Sequence, residues 1–299
     1  MARGHRDQRR NTVIFERITT MTFENSATAR LTEQETPYLS FPIYEQLSFI
    51  KHGFSTRLGG VSEGIYSTLN LGFHRGDAKE NVITNYERIC HSIGVDPHSL
   101  VMSDQVHKTN LRKIGRGDCG KGIYRKKDYA EIDGIYTNVP GITLVTAYAD
   151  CVPLYFVDPV YHAIALSHAG WRGTIGKIGP KTVETLRKEY GSKPEELLVV
   201  IGPSICQDCY EVSEDVVEVF KKEIKEELWQ QIVPKTDGKE HKYQLGLWKA
   251  NRYFLEEAGV KPENIITSGV CTCCNSKLFH SHRASKGQRG SLSAFLSLV

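Results

Sequence analysis

The 299-residue chain has no uninterrupted apolar run long enough to cross a membrane, which takes about 20 residues. Its first ten residues hold four arginines and no apolar core, so no secretory signal is read there and a cytoplasmic location is the default expectation. No sign of charge dominates: 38 Lys and Arg against 35 Asp and Glu leave +3. That is too little to imply a nucleic-acid partner, and no membrane partner is expected either. There are no repeats, low-complexity linkers or sustained heptads, so nothing calls for separate domains and nothing specifies an oligomer. Eight cysteines in a chain of this size without an export signal need no structural disulfides. No serine has a histidine and a carboxylate fixed beside it, so Ser55, Thr56 and Ser281 are polar contacts rather than nucleophiles of a serine triad.

What is present is a soluble, mixed pattern, 40% hydrophobic and 24% charged. Residues 81–90 have helical spacing that turns Val82, Tyr86 and Ile89 inward, with Gly94 and Pro97 ending the run. Residues 141–148, 154–159 and 161–167 read as buried strands, as do 197–201 and 265–267. Helices are expected over 174–190, 212–231 and 245–255. The expected organisation is an amino-terminal extension with the first structural elements over 1–44, not an independent domain. A single catalytic α/β domain then covers 45–299. The basic run 121–127 reads as a solvated loop or an anion-facing surface.

The chemistry gathers in three separated segments: Asp104-Gln105-Val106-His107, Ala149-Asp150-Cys151-Val152-Pro153 and Ser167-His168-Ala169-Gly170-Trp171-Arg172-Gly173. None has zinc-finger spacing, so a common site must be assembled by folding. His107, Cys151 and His168 would then supply two imidazoles and a thiolate, three donors of a tetrahedral zinc site whose open fourth position makes it catalytic. Cys271, Cys273 and Cys274 form a second tight cluster, able to bind metal or to react with oxidants. The adjacency of Cys273 and Cys274 favours packing over a second zinc site.

These segments, with His52-Gly53-Phe54-Ser55-Thr56-Arg57, Asn70-Leu71-Gly72, Gly202-Pro203-Ser204-Ile205, Tyr210-Glu211-Val212 and the stretch 271–283, resemble a family described in three ways. Its members are called multicopper polyphenol oxidase-like, peptidoglycan-editing-factor-like, and zinc-containing purine nucleoside phosphorylases. The resemblance covers roughly residues 45–290. It implies an α/β fold of mixed β-sheets with flanking helices, a layered α-β-β-α sandwich, and a metal on His107, Cys151 and His168. It also implies phosphorolysis of adenosine, inosine, guanosine and methylthioadenosine, and adenosine deamination at purine C6 by a metal-activated water. Zn(2+) is the expected metal, with Cu(2+) as the alternative, since a mixed nitrogen and sulfur site accepts either.

Phosphorolysis needs cationic recognition of phosphate, and Arg57, Arg172 and Arg283 are the candidates because guanidinium groups bind phosphate in bidentate fashion. His52 is a candidate substrate contact. Gln105 serves either the base or its own loop. Asp150 either orients a ligand or water, or is a turn carboxylate, and Trp171 is read as packing beneath the glycine turn. Purine nucleosides and phosphate are therefore the expected partners. Two alternatives remain: a peptidoglycan-precursor amidase with Cys151 as nucleophile and His168 or His107 as base, and a copper-dependent polyphenol oxidase.

Overall fold

The computed structural model describes residues 24–299; the arginine-rich start and half of the 1–44 extension lie outside the described residues. Fourteen strands follow in chain order: β1 (Arg30–Leu31), β2 (Tyr38–Ser40), β3 (Ile50–Ser55), β4 (Leu100–Met102), β5 (Leu111–Lys113), β6 (Gly134–Thr137), β7 (Ile142–Tyr148), β8 (Val152–Asp158), β9 (Ala163–Ala169), β10 (Leu198–Ile201), β11 (Glu211–Ser213), β12 (Lys242–Gln244), β13 (Ile265–Thr267) and β14 (Leu292–Leu298). One mixed sheet has the order β1-β2-β3-β14-β7-β4 and the other β13-β10-β8-β9-β6-β5, while β11 and β12 form a small ribbon.

Alternation along the strands explains the layering. In β8, Tyr155 and Val157 face the first sheet and pack with Phe54, Leu144 and Leu296. Leu154 and Phe156, one residue out of phase, face the opposite way, onto helices α3 (Ile178–Tyr190) and α5 (Leu247–Glu257) through Ile178, Leu186, Leu247 and Phe254. The first sheet repeats the device: Val145 and Phe295 turn outward onto α1 (Lys79–Ile93), which presents Val82, Tyr86 and Ile89 at helical spacing. The result is an α-β-β-α sandwich with one inter-sheet core and two helix-facing cores. The first strands, β1 and β2, join the first sheet through β3.

Two expected helices are broken. The run 174–190 begins earlier, as the short α2 (Trp171–Ile175), and restarts at Ile178. Gly176 lies so close to Thr109 that a Cβ would stand 2.8 Å from its Cγ2, and Lys177 takes a left-handed φ of 61°. The run 212–231 opens as β11, and its helix α4 (Glu214–Lys221) is followed by Lys225 in an extended conformation, with φ −57° and ψ 141°, before short helical turns resume over 226–232. Two cations of the basic run are already paired, while Arg125 and Lys126 are exposed. Lys121 sits between Asp118 and Asp128, and Lys127 pairs with Asp104. Among the described residues no helix is long and apolar enough to cross a membrane.

Candidate metal-binding active site

The two sheets exchange chain at one end of the sandwich. β4 and β7 run parallel, with Leu100 opposite Thr143 and Met102 opposite Val145, so both leave the first sheet on the same side. β4 passes to β5 of the second sheet through the loop carrying His107. β7 passes to β8 through the Ala149-Asp150-Cys151 turn. Beside that turn β9 ends: Pro153 pairs with His168 and Val152 with Ala169. Three segments far apart in sequence thus deliver His107, Cys151 and His168 to one place.

One donor atom from each of the three residues lies within 4.8 Å of the others. Cys151 Sγ is 3.8 Å from His107 Nε2. A tetrahedral zinc with ordinary bond lengths would hold such a sulfur and nitrogen about 3.6 Å apart, so little adjustment is needed. His168 is buried and its Nδ1 lies 2.9 Å from Asp133 Oδ1, which directs the other ring nitrogen to the cluster. His107 is exposed, so the cluster opens to solvent on one side.

The surroundings fit such a centre. Asp133, just before β6, also accepts the N–H groups of Val106, His107 and Lys108. Burial opposes its charge, but the hydrogen bond from His168 and these amides hold its carboxyl below the usual range. One buried carboxylate therefore fixes both the His107 loop and the His168 ring. Burial also opposes the Cys151 thiolate, yet the neighbouring His168 and His107 bring its pKa down to about 6. His168 shows the converse: burial works against its cation, while Cys151 and Asp133 raise it to about 9. The site thus favours a thiolate donor. Gly170 leaves room for it, since a Cβ there would stand 2.8 Å from His107 Cδ2 and 3.1 Å from Cys151 Sγ. His107 and Asp150 have left-handed φ values of 64° and 90°, unfavourable for residues with a Cβ.

The other residues singled out from sequence scatter. Asp150 has both oxygens engaged, Oδ1 by the Thr272 hydroxyl at 2.7 Å and Oδ2 by the Arg283 N–H at 2.7 Å, so it braces the turn. Gln105 is bound to the Ala147 backbone, its Oε1 accepting from N–H at 2.7 Å and its Nε2 donating to O at 2.8 Å. It supports its loop. His52 is directed into the core instead of toward substrate: its Nε2 accepts from Phe41 N–H at 2.8 Å, and burial drives its pKa to about 4. Arg172 lies exposed over the Trp171 ring, and Arg283 donates to the Cys209 and Glu211 carbonyls, so neither guanidinium joins the three donors.

Arg57 does line a cavity, of about 200 Å³, with Phe279, His280, Ser281, Ser285 and Arg289. Sequence reasoning missed Asp133 and Arg289. Among the described residues, neither ring nitrogen of buried His280, nor Arg289 Nε, has a well-formed hydrogen bond to protein. Burial lowers the Arg289 pKa to about 10, Arg75 adding to the effect while Asp150 and Cys151 oppose it. The Arg289 cation therefore persists near neutrality, close enough to Cys151 and Asp150 to be favoured by their negative charge. Burial, with the Arg57 and Arg289 charges, keeps His280 neutral, its pKa near 3 against the pull of the Leu69 backbone.

The same arrangement of sequence recurs in known proteins. A model of the family described as multi-copper polyphenol oxidoreductase laccase matches residues 51–299. The chain belongs to this family. A relative from Bacillus subtilis strain 168, named purine nucleoside phosphorylase YlmD, is 36% identical over 248 residues, spanning 82% of this chain and 87% of its own. Adenosine deaminase RL5, from an unknown prokaryotic organism, is 37% identical over 248 residues, 80% of this chain and 92% of its own. The crystal structure of YlmD from Geobacillus stearothermophilus superposes with a TM-score of 0.80 at 32% identity, covering 92% of this chain and 98% of that one. Family relatives are thus named as purine nucleoside enzymes, and this chain carries a donor set able to bind a metal.

Proposed function

We propose that this chain is a purine nucleoside phosphorylase acting on adenosine, inosine, guanosine and methylthioadenosine, with metal-dependent adenosine deaminase activity at the same site. The observation that carries the reading is the solvent-open donor set of His107 Nε2, Cys151 Sγ and His168, with Asp133 behind it. Zinc is the metal these donors suit, and held by His107, Cys151 and His168 it would supply Lewis acidity toward a substrate group. Asp133 holds the His168 ring through Nδ1, so that the other ring nitrogen is the one turned toward Cys151 and His107. Asp150 holds the cavity-lining turn at Arg283 against the strand end that carries Cys151.

Phosphate is assigned to the adjoining cavity. Its two guanidinium groups, Arg57 and Arg289, can receive an anion, and the neutral His280 ring with the Ser281 and Ser285 hydroxyls can complete the contacts. Arg57 is itself held by Ser67 O and Ser276 O, so its head is already oriented. Orientation of phosphate against the ribose is then the contribution of these residues.

The test is metal analysis coupled to product analysis with adenosine, with and without phosphate, on wild type and Cys151→Ala. Adenine and ribose 1-phosphate formed only with phosphate, and lost in the variant, support phosphorolysis. Inosine formed without phosphate supports deamination. Inertness toward adenosine with the metal present would sink the nucleoside reading.

The lowered Cys151 pKa beside a protonatable His168 favours one second reading, a cysteine nucleophile cleaving an amide in a peptidoglycan precursor. Carbamidomethylation of Cys151 that metal fails to prevent, with loss of amidase activity, would support it. A copper oxidase is less well served. Two His and one Cys match a single blue-copper centre, but among the described residues no histidine cluster accompanies it, His52 lying in the core and His162 stacked on Phe49.

A further inference from the structure

A second donor set lies outside the site described above. β10 and β13 pair in parallel, Val199 with Ile265 and Ile201 with Thr267, so their continuations leave the edge of the second sheet side by side. Ser204 bridges to Cys271, its N–H bonding Val270 O and its O accepting the Thr272 N–H. Each continuation then carries two cysteines three residues apart: Cys206 and Cys209 on one, Cys271 and Cys274 on the other. All four Sγ atoms lie within 4.8 Å of one another. Cys274 Sγ is 3.4 Å from Cys209 Sγ and 3.9 Å from Cys206 Sγ. Cys273, whose adjacency argued against a site, is not one of the four and packs against the helix-facing core.

We propose that Cys206, Cys209, Cys271 and Cys274 form a closed tetrathiolate zinc site that clamps the two loops at this sheet edge. Four sulfurs around one tetrahedral zinc stand about 3.8 Å apart, in the middle of the observed spread. Two amides, those of Cys206 at 3.2 Å and Cys274 at 3.3 Å, donate to Cys271 Sγ. N–H donors aimed at a sulfur compensate thiolate charge, the role of outer-shell partners at metal sites. A four-iron cubane is disfavoured, because it binds each thiolate to a different iron and needs a wider set of sulfurs. A disulfide would satisfy two of the four and leave the inward pairing of the others unexplained. Cys274 is exposed and Cys206 and Cys209 half-buried, so an ion can enter from solvent.

The clamp lies behind the catalytic turn. Ile205 N–H bonds Asp150 O at 3.0 Å and the Thr272 hydroxyl bonds Asp150 Oδ1. Holding these loops therefore also holds the residue next to Cys151. The inference does not depend on which reaction the first site performs.

The experiment is elemental analysis and zinc X-ray absorption on full-length Cys151→Ala, with the double variant Cys209→Ser/Cys274→Ser analysed beside it. In Cys151→Ala about one zinc per chain is expected, in a shell of four sulfurs near 2.3 Å. The double variant is expected to lose that zinc and keep the metal of the first site. If the double variant does not fold, the absorption spectrum of Cys151→Ala decides alone. A metal-free Cys151→Ala, a nitrogen-rich zinc shell, iron in place of zinc, or a Cys209 to Cys274 disulfide in freshly isolated protein would each overturn the proposal.

Discussion

The two donor sets are built by the same device and finished differently. Each arises where parallel strands send their continuations off one end of a sheet: β4 with β7 for His107 and Cys151, β10 with β13 for the four cysteines. The first set stops at three donors, mixes nitrogen with sulfur, and is flanked by His107 and Asp150 in left-handed conformations. The second has four sulfurs, regular two-residue spacing within each pair, and amides aimed at Cys271. The lesson is that donor count and donor type, more than the presence of donors, separate a centre suited to chemistry from one suited to holding loops.

The largest expected effect breaks the first set alone. Cys151→Ala should lower nucleoside turnover by roughly 10³-fold or more, about 4 kcal/mol of transition-state stabilisation, while its thermal midpoint stays within a few degrees of wild type. Assay of kcat with calorimetry on the same preparation checks both halves. A variant that kept a tenth of its activity would mean the three donors do not serve catalysis.

The second set should respond in the opposite sense. Cys209→Ser/Cys274→Ser is expected to cost about 3 kcal/mol of stability, a fall in Tm of roughly 6–12 °C for a chain of this size. The loss in kcat should be less than that of Cys151→Ala. Equal losses of activity in both variants would erase the distinction between the two sets.

Asp133→Asn sharpens the first set from behind. The amide cannot hold the Nδ1 proton as a carboxylate does and leaves part of the 106–108 backbone cradle unsatisfied. Metal affinity, measured by competition with a chromophoric chelator, should drop by about 10- to 100-fold. The tetrathiolate set should keep its affinity.

Much of this was legible in the sequence, and the unread part has physical causes. The inward spacing of Val82, Tyr86 and Ile89, and the apolar runs of β7, β8 and β9, are local signals, and the layers follow from them. His107, Cys151 and His168 stand in chemically dense segments, and the fold brings them together. Asp133 gives no such sign: it is one carboxylate before a short strand, and its importance comes from β6 pairing with β9. Cys206 and Cys271 are 65 residues apart, and parallel β10–β13 pairing, invisible in either run, makes them neighbours. The 212–231 run reads as one helix because its charge pattern is regular, a pattern that carries no sign of the strand Glu211–Ser213 or of the extended Lys225 that divide it.

The smallest effect tests whether the two sets communicate. Thr272 lies between Cys271 and Cys273, and its hydroxyl is the donor to Asp150 Oδ1. Thr272→Val keeps the shape and removes one hydrogen bond to a buried carboxylate, a loss of about 1–3 kcal/mol in stability. Both donor sets stay chemically whole, so zinc content should not change. If the clamp positions the catalytic turn, kcat should fall severalfold with KM nearly constant, because the geometry at Cys151 is disturbed while the Arg57 and Arg289 cavity is not. If Tm falls and kcat does not, the second set stabilises the sheet edge without reaching the first, and the Asp150 contact is packing alone.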